Sequence, residues 1–156
     1  MVYRSTIPGR LPGLNEYIEA ERSHRIKGAN MKAEYERLIC RCIRIQLGKV
    51  QITKPIRLDY HFFEPDKRRD KDNISGYAHK LIQDSLVKCR VLKNDGWREI
   101  ADYRDYFAVD KSNPRVEVIM TTEGENDGER ISCGASALER GCDGGRSADR
   151  VDEGRR

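Results

Sequence analysis

Apolar and polar positions alternate from Val2 to Ile7, which predicts a short strand closed by the loop Pro8-Gly9-Arg10-Leu11-Pro12-Gly13. From Leu14 to Gly28 no period stands out, and this stretch reads as loop with at most a short helical piece. Asn30 then offers an N-cap for a helix running to about Leu47, with Tyr35, Leu38, Ile39, Cys42 and Ile45 as its apolar stripe and Gly48 in the C′ position. After Pro55, strict alternation through Ile56-Arg57-Leu58-Asp59-Tyr60-His61-Phe62 marks a half-buried strand. A second helix spans about Asn73 to Lys88, burying Ile74, Tyr77, Ala78, Leu81, Ile82 and Ser85. Lys93-Asn94-Asp95-Gly96 is a turn signature. Two strands follow, about Ile100 to Asp110 and Arg115 to Thr122, separated by Ser112-Asn113-Pro114. The predicted order is β-α-β-α-β-β, a small mixed sheet with two helices in the α+β class.

The pattern stops near residue 123. Residues 124–156 hold seven of the thirteen glycines, many charges and almost no large apolar side chains. Such a segment cannot bury enough surface to offset its ordering entropy, so a disordered tail is expected behind a domain of residues 1–123. Its acids also hide the charge of the body. The chain is +4 overall, while residues 1–123 carry about +6. That is compatible with nucleic acid without demanding it. No stretch has the roughly 20 apolar residues of a membrane span and no signal peptide opens the chain, so the expectation is a cytoplasmic protein. The five cysteines are odd in number and unpatterned. Cys40 and Cys42 lie about 200° apart around a helix and cannot grip one metal, and Cys133 and Cys142 have no companion histidines.

Chemistry concentrates where the central strand gives way to the second helix. Asp70 and Asp72, one residue apart, project to the same side of an extended segment, with Lys67, Arg68 and Arg69 just upstream. Either acid alone reads as a helix cap. Together, two like charges within about 5–6 Å raise each other's pKa unless a cation neutralises them. Mg²⁺ takes one or two carboxylates and fills its remaining positions with water and substrate phosphate. Acids beside bases therefore suit metal-dependent cleavage of a phosphodiester, with Lys67, Arg68 and Arg69 contacting the DNA backbone. Asp95 joins this set only if the loop after Lys88 folds back towards the helix start. Lys80, two turns beyond Asp72, shares a face with the acids and would stabilise charge at phosphorus. A calcium loop fails on position, because Ile74 and Leu81 fall where ligands are required. A phosphatase-type Asp-x-Asp fails too, since residues 64–69 separate it from the strand. His79 reads as a surface histidine, and Trp97 and Tyr103 as core residues rather than base-stacking ones.

Arg69-Asp70-Lys71-Asp72-Asn73-Ile74, then Leu81-Ile82-Gln83-Asp84-Ser85-Leu86, then Lys93-Asn94-Asp95-Gly96-Trp97 resembles the RusA family of Holliday-junction resolvases, in the form carried by phages and prophages. Ile7-Pro8 through Leu14-Asn15-Glu16-Tyr17 resembles that family's N-terminal strand and loop, and the likeness covers about residues 2–122. It implies a homodimeric α+β endonuclease of DNA recombination and repair that uses Mg²⁺ to resolve four-way DNA junctions by paired nicks. Asp70, Asp72 and Asp95 would be its metal-holding acids and Lys80 its catalytic lysine. One departure stands out: where the first family member described carries its lysine four residues after the second acid, this chain has Gly76. Two alternatives remain open, a branched-DNA-binding protein without catalysis and a nuclease acting on flaps or RNA.

Overall fold

The structure, a computed structural model, describes residues 1–122; the expected tail and the domain limit lie outside these residues. The elements are β1 (Val2–Pro8), α1 (Leu14–Ser23), α2 (Arg25–Leu47), β2 (Ile56–Glu64), α3 (Lys71–Lys88), β3 (Ile100–Val109) and β4 (Arg115–Thr122). The four strands form one sheet in the order β1-β4-β2-β3. β4 runs antiparallel to β1 and β2, whereas β3 lies parallel to β2. A parallel neighbour requires a crossover, and α3 supplies it. The protein is α+β.

Sheet alternation decides where the core sits. Leu58, Tyr60 and Phe62 of β2, Val116, Val118 and Met120 of β4, and Ile7 of β1 point to one face and are buried. They meet Ile39 and Ile43 of α2 and Leu81, Ile82 and Leu86 of α3. Each such side chain contributes about 1.5–3 kcal/mol through burial. On the other face, the His61 and Tyr106 rings stack at 4.6 Å and Arg115 lies 3.7 Å above the Phe63 ring.

Three local features depart from the sequence reading. Leu14–Ser23 is a helix although none of its residues is fully buried. Glu16 Oε2 accepts from the Gly13 N–H at 3.1 Å at its first turn, and the Tyr17 ring stacks on Tyr77 of α3 at 4.1 Å. α2 begins at Arg25 rather than after Asn30, because His24, in extended conformation, breaks the chain between the helices and its Nδ1 accepts from the Ile26 N–H. α2 is also turned relative to the expected stripe: Glu36, Ile39, Cys40, Ile43 and Leu47 face inward, and Ile45 is 73% exposed. Gly48 ends it as expected, with a φ of 62° that favours glycine. Among the described residues, no helix is long and apolar enough to cross a membrane.

Candidate functional site

β2 ends at Glu64 and α3 starts at Lys71, so the basic run and both leading acids occupy the junction between them. Arg69 fixes that junction. Its guanidinium donates to both Glu64 carboxylate oxygens at 2.7–3.1 Å and to the Leu11 carbonyl at 2.9 Å. Only 10% of the Arg69 side chain and 7% of Glu64 are exposed. The expectation that Arg69 contacts a phosphate backbone is therefore corrected: its fork is used inside the protein, tying β2, the N-terminal loop and the start of α3 together. Arg69→Ala would leave Glu64 buried without a counter-charge. It should cost about 3–5 kcal/mol in denaturant unfolding without any DNA, whereas a surface phosphate contact would cost almost nothing. Lys67 and Arg68 are exposed, and Arg68 pairs loosely with Asp66 at 3.5 Å.

The N-terminal loop closes over the same junction. The Asn15 N–H donates to Asn73 Oδ1 at 2.9 Å, and a Cβ at Gly13 would stand 2.7 Å from that oxygen, so any larger residue there would displace the Asn73 amide from this bond. Asp70 occupies the N-cap position of α3 with extended φ and ψ, yet its side chain makes no capping hydrogen bond. Asp72 lies in the first turn, where the helix dipole favours a negative charge. Both acids are exposed, and neither is paired with a basic side chain among the described residues. An open hollow of about 610 Å³ lies beside Asp70, lined also by Glu64, Lys67, Lys71 and Phe107. The Lys71 ammonium leans over the Phe107 ring at 5.5 Å.

Beyond Lys88 the chain does fold back. Val91 and Leu92 are buried and both donate to the Leu86 carbonyl, with Arg90 at a positive φ of 59° turning the chain. This return sets Asp95 against the middle of α3, where its carboxylate lies 3.4 Å from Lys80 Nζ. Lys80 is also 2.7 Å from Asp84, Asp84 is 2.9 Å from Lys32, and Glu36 sits between Lys32 and Lys88. A row of alternating charges thus joins α2, α3 and the Asp95 loop.

Two titrations follow from that row. The Lys80 ammonium is held above its usual pKa, chiefly by its hydrogen bond to Asp84. Burial would raise the Asp84 carboxyl, but the Lys80 and Lys32 hydrogen bonds and charges together outweigh it and hold it below the ordinary 3.8. A depressed carboxyl stabilises the fold above its unfolded pKa, and that contribution is lost as pH falls through the folded value. Asp84 therefore belongs to the acid limb of stability.

Asp70 stands at the N-cap of α3 and Asp72 in its first turn, so the expected extended segment gives way to helix from Lys71 on, where residues two apart point to different sides; Lys80 and Asp95 meet further along. Among the described residues, no three His, Cys, Asp or Glu side chains stand close enough to hold one metal ion. Asp95 is thus held by Lys80 in this conformation and does not stand as a third carboxylate beside Asp70 and Asp72. An exposed carboxylate without a paired cation, as at Asp70 and at Asp72, is a donor that Mg²⁺ accepts, since the ion takes one or two carboxylates and draws the rest from water and phosphate.

Two features escaped the sequence reading. His79 is no solvated histidine: its Nε2 lies 2.7 Å from Asp105 of β3, and its ring packs 4.5 Å from Tyr60 and 5.0 Å from Tyr103. Helical spacing alone carried no signal for a partner 26 residues away. Tyr103, expected in the core, is 53% exposed, and Trp97, expected there too, is 98% exposed. The Gly-containing turn that precedes it was the available hint, since tight turns sit on the surface.

No protein-family model matches the chain, and no curated protein matches it.

Proposed function

We propose that this chain is a Mg²⁺-dependent endonuclease that cuts branched DNA, with four-way junctions as its substrate. The observation that carries this reading is the return of the loop after α3. It sets Asp95 on Lys80, on the same helix that opens with the unpaired acids Asp70 and Asp72. Acids and a cation spaced along the solvent side of α3, beside Lys67 and Arg68, suit what a phosphodiester and a divalent ion require. Asp70 and Asp72 would hold the ion, with Asp95 within reach of the same stretch of backbone. When bound, such an ion supplies a water of lowered pKa and stabilises the departing oxygen. Lys67 and Arg68 would steer and anchor the DNA backbone, and Lys80, a fixed cation, would neutralise charge gathering at phosphorus. A homodimer with two-fold symmetry would present two such sites to opposed strands of a junction that shares that symmetry.

One observation favours a second reading: Asp95 is neutralised by Lys80 rather than grouped with the other acids. A branched-DNA-binding protein without catalysis would show this as well. A single assay separates the readings. A synthetic four-way junction, a matched duplex, a flap and an RNA duplex are incubated with the protein, with Mg²⁺ and with a chelator. Paired nicks in the junction that need Mg²⁺ are the expected result. Binding without nicks leaves the binder, and faster cutting of the flap or the RNA replaces the substrate.

A further inference from the structure

We propose that Trp97 and Tyr103 form a platform on which an unpaired nucleobase of branched DNA stacks. This inference rests on the reading as a DNA enzyme and adds to it how the branch is told from plain duplex.

Trp97 is 98% exposed and Tyr103 53% exposed, and both line an open hollow of about 300 Å³. Ile100, Gln83 and Asp95 line the same hollow. Tyr103 is held in place from behind, with the His79 and Tyr60 rings meeting it edge-on at 5.0 and 6.5 Å. That packing explains why one ring of the pair is fixed. Among the described residues nothing comparable covers Trp97, so the largest apolar side chain faces outward.

Three features select a base as the occupant. The hollow carries carboxylates, Asp95 and Asp102. These repel a phosphate placed inside it, but accept hydrogen bonds from the amino and imino groups of a base edge. Lys93 and Arg98, both exposed, lie on either side of Trp97 in the chain and suit the phosphates that flank a stacked base. The hollow also borders Lys80, because Asp95 lines it and its carboxylate lies 3.4 Å from the Lys80 ammonium. A base lodged there brings its own phosphate towards Lys80. Aromatic stacking accepts any base and needs a free face, which a branch point offers and a closed duplex hides.

Trp97 is the only tryptophan in the chain, so indole emission excited beyond the tyrosine band reports this residue alone. The full chain is titrated in chelator, which prevents cutting, with an end-labelled four-way junction or a blunt duplex of equal length. Label anisotropy gives occupancy, and indole emission gives stacking. The expected result is quenching at saturation by the junction and none by the duplex. Trp97→Ala should weaken junction binding about 10-fold or more while changing duplex binding less than 2-fold, and Trp97→Phe should restore most of the loss. Circular dichroism checks that both variants fold, as an exposed position predicts. Saturated junction binding with unchanged emission overturns the platform and leaves the functional reading standing. Equal quenching by duplex, or equal weakening of both DNAs by Trp97→Ala, overturns it too. An emission shift that follows protein concentration without DNA overturns it in favour of contact between copies. If no DNA binds at all, the functional reading falls and the platform with it.

Discussion

Asp72→Asn is expected to lower junction cleavage by about 10²–10³-fold in single turnover, while junction affinity stays the same or improves. A bound divalent ion contributes several kcal/mol of charge stabilisation, and each 1.36 kcal/mol is a factor of ten in rate. Asparagine keeps the shape of aspartate but loses the anionic oxygen that a hard cation requires. The substitution is clean because Asp72 is exposed and carries no ion pair among the described residues. Its only structural loss is the helix-dipole interaction at the first turn of α3, about 0.3–1 kcal/mol. Removing a negative charge also lowers repulsion of phosphate, hence the unweakened binding. Asp70→Asn should behave the same way, since the Asp70 carboxylate does not serve as a cap. Cleavage by Asp72→Asn at near wild-type rate with saturating Mg²⁺ would remove Asp72 from the metal site.

Where the sequence was legible, one physical rule dominated. α3 buries Ile74, Tyr77, Ala78, Leu81, Ile82 and Ser85, the face its periodicity marks, because a single stripe was present. The alternation of β2 transferred to the sheet for the same reason, with Leu58, Tyr60 and Phe62 on the core face. α2 was harder because its apolar residues offer two overlapping stripes, and sheet packing selects the one through Ile39, Ile43 and Leu47. α1 has no buried stripe at all, and the Tyr17–Tyr77 stack that seats it joins residues 60 positions apart. The site divides along the same line. The acids Asp70 and Asp72 were legible because they are neighbours in the chain. Arg69 was not, since its partners Glu64 and the Leu11 carbonyl come from β2 and the N-terminal loop, and the chain order gives no sign that they meet. Asp95 lies between these cases: the turn was visible, but how far it returns depends on Val91 and Leu92 entering the core.

Lys80→Ala should slow single-turnover cleavage by about 10² or more, the size of one lost contact to a developing anion. Asp84 holds the ammonium above its ordinary pKa, so at neutral pH Lys80 is a cation and cannot serve as a base. Asp84 keeps Lys32 at 2.9 Å and Asp95, which loses its partner, is partly open to water, so the fold should survive. Mg²⁺ affinity should change little, and the salt slope of junction binding should fall by at most about one unit. Lys71→Ala is the control: its ammonium leans over Phe107 and should matter far less. The pairing with Asp95 adds a sharper comparison. If Asp95 acts by orienting Lys80, Asp95→Asn combined with Lys80→Ala should be no slower than Lys80→Ala alone, because contacting residues are non-additive. If Asp95 also reaches the metal, the double variant should lose a further factor comparable to that of Asp72→Asn. Equal single-turnover rates for Lys80→Ala and wild type would return Lys80 to the role its geometry alone guarantees, a link in the charge row between α2, α3 and the Asp95 loop.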